Sequence, residues 1–141
     1  MKVEVTDYWY SKELLQNNPY KLFVFGDNLQ RKGKGGQAVV RYERNSFGIA
    51  TKVKPSTRVG SFFEDSNPNH YKAIEDDLLE LKEIGKETTI VFPSGGLGNG
   101  LSQMHLRCPK LFSYMNTLLL DMFGVINCSN GLGLSNKSVE E

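Results

Sequence analysis

The chain has 141 residues, and its 17 Lys plus Arg against 16 Asp plus Glu give a formal net charge of +1 at pH 7. This length predicts one compact domain, and the 39% hydrophobic and 23% charged residues exclude an intrinsically disordered protein. The near-neutral balance argues against a dedicated DNA-binding protein, because such proteins carry a basic excess that neutralises phosphates. Nucleic acid is therefore not expected as a partner, except as a substrate that carries a covalent modification.

No apolar run is long enough to cross a bilayer, and the first residues lack the apolar stretch of a signal peptide. The two cysteines, Cys108 and Cys128, are too few for a disulfide scaffold, and no CxxC or HxxxH spacing offers a metal cage. The sequence therefore predicts a cytoplasmic protein with reduced thiols, no membrane partner, no metal site and no cofactor.

Short runs rich in strand-forming residues alternate with helical patterns along the chain, and each run has about the usual length of a β-strand. The predicted strands are residues 3–5, 22–25, 47–50, 88–92 and 124–127. Strands that alternate with helices indicate an α/β layered fold with a mixed, mostly parallel sheet, in which ligands bind outside the carboxyl ends of the strands.

Three helices are predicted between these strands. In residues 71–84 apolar side chains recur every three or four positions, which is the spacing of a helix that packs on a core. A second helix begins near Pro109, because proline is favoured in a first turn, and ends at Gly124. A third helix spans residues 36–44.

Two segments lack such periodicity. Residues 54–69 contain Pro55, Gly60 and Pro68 among polar residues, which is typical of a long functional loop or a lid. Residues 129–141 are rich in Ser, Asn and Gly, and this composition predicts a flexible polar tail after a folded domain of residues 1–128.

The first candidate site is the glycine-rich loop that follows the strand at residues 22–25. It contains Gly33, Gly35 and Gly36 and leads into a predicted helix. A strand, a glycine-rich turn and a helix in this order create an anion site, because bare backbone N–H groups point at the ligand. The loop is neither a Walker A motif nor a GxGxxG fingerprint. The alternative is a tight, solvated turn without a ligand.

The second candidate site follows the strand at residues 88–92 and reads PSGGLGNGL over residues 93–101. Four glycines in six residues weaken a structure through their conformational entropy, so we expect close approach of a ligand to the backbone. Two such loops can clamp one diphosphate. The alternative is a glycine-rich crossover that holds nothing.

Three further features near the predicted strand ends can carry chemistry. Lys52 ends the third strand, where a lysine serves as a phosphate counter-ion or, when desolvated, as an amine nucleophile towards a sugar aldehyde. The alternative is an exposed, solvated lysine. Asp27 is a candidate general base. The consecutive aromatic residues Tyr8, Trp9 and Tyr10 pack in the core or stack on a base, and core packing is the favoured interpretation.

In their order along the chain, these motifs resemble those of a small, divergent macrodomain. Phage and bacterial proteins of this kind carry a VFGSNLAGRHGAGAA loop and a YAIPTK strand. The corresponding segments here read VFGDNLQRKGKGGQA over residues 24–38 and FGIATK over residues 47–52. The resemblance covers about residues 22–120, and the order of the motifs is more specific than any one of them.

The resemblance implies a three-layer α/β/α sandwich that binds ADP-ribose or a related NAD-derived nucleotide. It implies that Asn28 lies near the distal ribose, that the first loop wraps this ribose and the diphosphate, and that the second loop encloses the diphosphate from the other side. It also implies that Asp7 reads the adenine amino group. The matching loop residues are Gly33, Gly35 and Gly36 in the first loop and Gly96, Leu97, Gly98 and Asn99 in the second.

The chain is more distantly similar to the terminal ADP-ribose protein glycohydrolases, which combine a lysine at an ITK strand end with an aspartate in a GCGLD loop. Lys52 matches the lysine, which implies a catalytic role for it. Asn99 or Gly100 stands near the position of the aspartate, and neither is a carboxylate base. Asp27, beside Asn28, is then the candidate base.

Three functions follow from these observations. The first is an ADP-ribose-binding hydrolase that cleaves an ADP-ribosyl linkage or a terminal phosphate. The second is a non-catalytic sponge or reader of an ADP-ribose-type signal or an ADP-ribosylated target, which the missing loop aspartate favours. The third is a structural or protein-interaction domain without a ligand.

Overall fold

The computed structural model describes residues 1–7 and 9–135. None of the helices in these described ranges has the length and apolarity needed to span a bilayer. The strands are β1 (Val3–Thr6), β2 (Lys21–Asn28), β3 (Ser46–Lys52), β4 (Thr89–Pro93), β5 (Val125–Cys128) and β6 (Gly131–Leu134). The helices are α1 (Lys12–Gln16), α2 (Pro68–Ile84), α3 (Met104–Arg107) and α4 (Pro109–Phe123), with a short 3₁₀ helix at Gly36–Val40.

Strands β1 to β4 form one parallel sheet in the order β1-β4-β2-β3. The remaining strands, β5 and β6, form a separate antiparallel hairpin. The predicted α/β class with a mostly parallel sheet is therefore confirmed, and each of the five predicted strands is present. Because all four sheet strands run in one direction, the loops that follow β2, β3 and β4 leave from the same edge of the sheet.

Both faces of the sheet are covered, and the alternation of side chains along β2 shows how. Phe23 and Phe25 point to one face, where they pack with Tyr10 and Leu15. Val24 points to the other face and joins a larger core that α2 and α4 complete. Successive side chains of a strand point to opposite faces, so a strand covered on both sides has a continuous apolar run, as residues 22–25 of β2 do here.

The two long helices begin and end where the sequence predicts. The side chain of Asn67 accepts a hydrogen bond from the N–H of Asn69 at the start of α2, just before Pro68. Helix α4 ends at Gly124, whose φ of 70° is the left-handed conformation that a glycine adopts at little cost. Both predictions are confirmed, although α2 starts three residues earlier than its apolar pattern.

The predicted helix at residues 36–44 is wrong, since the segment forms one short 3₁₀ helix that ends at Val40. It opens on a glycine with φ of 58°, and its last two residues are β-branched, which disfavours an α-helix. The turn that follows is held by Ser46, whose hydroxyl donates to the carbonyl oxygens of Arg41 and Glu43. Neither α1 nor α3 was predicted, because five and four residues are too few to show a period.

The predicted tail at residues 129–141 is also wrong in part. Residues 131–134 form β6, which pairs with β5, and Leu132 is buried against the core. The N–H of Leu132 donates to the carbonyl oxygen of Ser94 at 2.9 Å, which ties the hairpin to the loop after β4. Two leucines at alternating positions give a strand too little apolar signal to be recognised. Residues 136–141 of the predicted tail lie outside the described residues.

Replacement of Leu132 by alanine tests whether β6 belongs to the folded domain. We expect Leu132→Ala to lower the free energy of unfolding in urea by about 2 kcal/mol, because it removes a buried side chain from the core. The matched control, Leu134→Ala, changes the leucine two residues further along the same strand, which is 54% exposed, and should change stability by less than about 0.5 kcal/mol. Equal effects of the two variants would contradict the described hairpin.

Candidate functional site

A cavity of about 900 Å³ lies at the carboxyl ends of the parallel strands. This volume is within the range of small-molecule sites, about 300–1,000 Å³. The loop after β2 leads to the edge strand β3, whereas the chain after β4 leads to the hairpin that contacts β1 at the opposite edge. Loops that diverge in this way from adjacent parallel strands open a crevice in which α/β proteins bind their ligands.

The first glycine-rich loop forms one wall of this cavity. Gly33, Gly35 and Gly36 all line it, as the sequence predicts for residues close to a ligand. The guanidinium of Arg41 bonds the backbone of this loop. Its Nε donates to the carbonyl oxygen of Gly33 at 2.7 Å, and its Nη2 donates to the carbonyl oxygen of Lys32 at 3.0 Å. The loop is therefore held in shape by the protein itself.

The second glycine-rich loop forms another wall, with Gly96, Gly98 and Asn99 among the lining residues. Leu97 does not line the cavity: its side chain is in the core, and its N–H and carbonyl oxygen both bond the side-chain amide of Asn127. Gly96 has a φ of 89°, and a Cβ there would lie 2.8 Å from Oδ1 of Asn127. Glycine is required at this position because both the backbone conformation and the space exclude a side chain.

Gln37 joins the two loops. Its Oε1 accepts a hydrogen bond from the N–H of Gly26 at 2.9 Å, and its Nε2 donates to the carbonyl oxygen of Gly96 at 2.8 Å. Gln37, which directly follows the first loop, thus bonds strand β2 with one half of its amide and the second loop with the other. Sequence reasoning missed Gln37, although its position directly after the glycine run was a usable signal.

Asp27 lies at the end of β2, and its carboxylate is buried among basic groups. Oδ1 accepts from Nη2 of Arg41 at 2.5 Å and from the N–H of Asn28 at 2.8 Å, and Oδ2 accepts from Nη1 of Arg31 at 3.3 Å. The Asp27 and Arg41 side chains are 3% and 6% exposed. Asp27 lines the cavity, but both of its carboxylate oxygens are already engaged.

A second aspartate completes this cluster. Both carboxylate oxygens of Asp77, on α2, accept from Nη2 of Arg31, and Oδ2 also accepts from the N–H of Ala50 at 2.7 Å. A Cβ on Gly48 would overlap the Asp27 side chain, so the lack of a side chain there makes room for the cluster. Burial lowers the pKa of Arg31, but its bonds to the aspartates outweigh this and raise it above its ordinary value. Two aspartates and two arginines make the cluster electrically neutral.

Asn28 is one of the residues that line the cavity, and its side chain carries a buried acceptor without a partner. Its Nδ2 donates to the carbonyl oxygen of Lys32 at 2.8 Å, whereas its Oδ1 is buried and accepts no hydrogen bond from the described residues. A buried polar atom without a partner costs free energy, so this occluded acceptor, on a residue that lines the cavity, is a candidate contact for a ligand donor.

Lys52 ends β3 at the cavity with only 8% of its surface exposed. Its Nζ donates to the carbonyl oxygen of Ser56 at 2.7 Å and lies 4.7 Å from the ring centre of Phe62. The Arg107 guanidinium stacks on the same ring at 3.6 Å. Burial lowers the pKa of Lys52 below the ordinary lysine value, and the charge of Arg107 lowers it further. The alternative of an exposed, solvated lysine is therefore wrong.

The segment predicted as a loop or a lid borders the same cavity. Residues 55–58 line it, and Lys52 and Phe62 form a β-bridge at the base of the segment. The N–H of Val53 donates to the carbonyl oxygen of Ser61 at 2.8 Å, and Phe63 is buried in the core. The segment is thus a loop anchored at both ends, and its closure over a ligand stays a prediction.

The remaining predicted residues are more dispersed. Asp7 is exposed after β1 and does not line the cavity, so its role towards adenine stays a prediction. Tyr10 is in the core, which is the interpretation that the sequence analysis favours for the three aromatic residues. Trp9 is exposed at the cavity, and Tyr8 lies outside the described residues.

Within residues 1–7 and 9–135, no group of three or more His, Cys, Asp or Glu side chains can hold a metal ion.

The comparison with known proteins identifies a family. The model of a family of unknown function, DUF7831, matches residues 5–118, and the chain belongs to that family. The chain is also similar to the GTPase Obg of Symbiobacterium thermophilum, with 27% identity over 101 residues. This match covers 72% of the chain but 21% of that GTPase, so the chain spans about a fifth of this curated relative. No solved structure matches the chain at a significant level.

The buried ion pair of Asp27 is open to a direct test of stability. We expect Asp27→Asn to lower the free energy of unfolding by about 3–5 kcal/mol, because it leaves the buried Arg41 charge without its counter-ion. The control, Asp76→Asn, removes an exposed partner of Lys72 on α2 and should cost less than about 0.5 kcal/mol. Chemical denaturation of both variants measures the difference, and a loss of the same size in both would show that the Asp27 pair does not stabilise the fold.

Proposed function

We propose that this member of DUF7831 binds ADP-ribose or a related NAD-derived nucleotide in the cavity between its two glycine-rich loops. The observation that carries the proposal is the pair of loops itself: each follows one of two adjacent parallel strands, and Gln37 ties them together. Such a pair offers backbone groups to a diphosphate from two sides. Helices on both faces of the sheet further support a three-layer sandwich of the macrodomain type.

The charge of the cavity suits a diphosphate. Asp27 is the one acidic side chain among the described lining residues, and Arg41 and Arg31 neutralise it. The basic lining residues are Lys32, Arg41, Lys52 and Arg58. The whole chain carries a net charge of only +1, so this excess is local. A local cluster of cations attracts a small anion without giving the protein a general affinity for nucleic acid.

The unpartnered oxygen of Asn28 suits the sugar. A diphosphate cannot donate a hydrogen bond to it, whereas a ribose hydroxyl can. Lys52 Nζ and Asn28 stand at the ends of neighbouring strands, since Asn28 is paired with Lys52 in the register of β2 and β3. In this arrangement Asn28 receives a hydroxyl of the distal ribose, and Lys52 orients the same end of the ligand.

Capture without turnover is the form of this function that the site favours. Hydrolysis requires a base that takes a proton from water, and both carboxylate oxygens of Asp27 already accept hydrogen bonds from guanidinium groups. The second candidate function is hydrolysis of an ADP-ribosyl linkage, and the buried amine of Lys52 favours it. The lowered pKa of Lys52 increases the fraction of the amine that is unprotonated and can act as a nucleophile. Ligand recovered intact after denaturation of the complex supports capture. Cleaved products support hydrolysis if the native protein forms them and the Lys52→Ala variant does not.

Gly35 offers a test of binding with little disturbance of the backbone. Its φ of −76° is ordinary for any residue, and a Cβ there would make only a normal contact of 3.6 Å with Leu101. We expect ADP-ribose to bind the native protein in isothermal titration calorimetry. Gly35→Glu should bind it about tenfold or more weakly than Gly35→Gln, because the two side chains have nearly the same size and only one repels a diphosphate.

The comparison ligands make the result specific. NAD, AMP and GDP belong in the same series, GDP because a similar protein is a GTPase. The proposal predicts tighter binding of ADP-ribose than of GDP. No heat with any of these ligands would contradict it and would favour a domain for protein interaction, whereas preference for GDP would replace ADP-ribose by a guanine nucleotide.

A further inference from the structure

Trp9 is the single tryptophan of the chain, and 93% of its surface is exposed. Tryptophan is normally highly buried, because its large ring gains much from removal from water. The next residue, Tyr10, shows that the segment is well anchored: its hydroxyl donates to the carbonyl oxygen of Val24 at 2.6 Å, and its ring packs edge-on against Phe23. The chain thus fixes Tyr10 in the core and leaves the adjacent indole free at the cavity.

The position of Trp9 within the cavity gives its exposure a meaning. Trp9 lies three residues after the end of β1, and Lys52 is the last residue of β3. These are the two edge strands of the sheet, three strand spacings or about 14 Å apart. The two glycine-rich loops follow the strands between them. The cavity therefore has an aromatic residue, Trp9, on the β1 side and a cationic residue, Lys52, on the β3 side.

We infer that Trp9 is the stacking surface for the nucleobase of the bound nucleotide. The inference rests on the proposed function and assigns the direction in which the ligand lies: base against the indole of Trp9, diphosphate between the glycine-rich loops, distal ribose at Asn28 and Lys52. Stacking removes the exposed indole face from water and matches it with a flat aromatic partner. A sugar phosphate without a base cannot use this wall, so the site selects nucleotides over sugar phosphates.

Fluorescence reads this contact directly, because Trp9 is the only tryptophan. AMP and ribose 5-phosphate form a matched pair of probes that share the sugar and the phosphate and differ in the base. We expect ADP-ribose and AMP to change the emission of the native protein in a saturable way, and ribose 5-phosphate to leave it unchanged. An equal change with ribose 5-phosphate would overturn the inference, because the indole would then respond to the sugar phosphate or to a movement of the loop.

Affinity provides the second readout. Trp9→Ala should weaken ADP-ribose binding by about five- to 150-fold, which is the usual effect of losing one base stack. Trp9→Phe should keep most of the affinity, because it restores an aromatic face. The control is Tyr20→Ala, which removes an aromatic side chain of similar exposure, 90%, that does not line the cavity. It should bind as the native protein does.

The outcomes separate the two proposals. ADP-ribose that binds the native protein and Trp9→Ala equally well would overturn the stacking role and leave the proposed function standing. Binding that falls equally in Trp9→Ala and Trp9→Phe would overturn it too, since an aromatic face would then not be what the ligand needs. If none of the nucleotides binds the native protein, the proposed function fails and the inference fails with it.

Discussion

The carboxylate of Asp27 is the point from which the cavity is organised. Through Arg41 it holds the carbonyl oxygens of the first glycine-rich loop, and through Arg31 it reaches Asp77 on α2. Asp77 in turn accepts from the backbone of β3. One ion-pair cluster, buried except for the partly exposed Arg31, therefore joins the end of β2, the loop that follows it, the edge strand and the helix that covers that strand. Buried charges are stable only when fully paired, so the cluster tolerates few other arrangements of these elements.

The cluster leaves the cavity with a positive potential. Within the cluster itself each acidic charge is matched by an arginine, so Lys32, Lys52 and Arg58 remain as cations around the cavity without an acidic partner at hydrogen-bond distance among the described residues. Glycines on both sides allow a ligand to reach the main chain, and Gln37 keeps the two loops at a fixed separation. An anion that bridges the two loops would satisfy both features at once, which is the physical basis for a diphosphate-containing ligand.

Local patterns in the sequence predict the parts of this fold whose signals are long or repeated. Helices α2 and α4 were predicted because each contains several turns of apolar repeat, and the strands because each is a short run rich in strand-forming residues. Strand β6 and the two short helices were not, because four or five residues do not establish a period, and the 3₁₀ helix was predicted as a longer helix. For the site, the glycines of both loops, Asn28, Asp27 and Lys52 were predicted, and all of them line the cavity.

What the sequence could not predict depends on contacts between distant residues. Asp77 looks like one more acidic residue on a solvated helix face, and only its approach to Arg31, 46 positions away, buries it. Gln37 and Asn127 look like ordinary surface amides, yet each holds a glycine-rich loop. The resemblance to macrodomains implied that Leu97 contacts the ligand, but its backbone bonds Asn127 and its side chain lies in the core.

The central claim is that one ligand occupies the space between both loops. A titration of the ¹⁵N-labelled protein with ADP-ribose, followed by amide chemical shifts, tests it most directly. The account predicts that the amide signals of residues 33–37 and 95–100 move together along one saturation curve, with the indole signal of Trp9. Shifts confined to one loop, or centred on residues outside the cavity, would contradict the account.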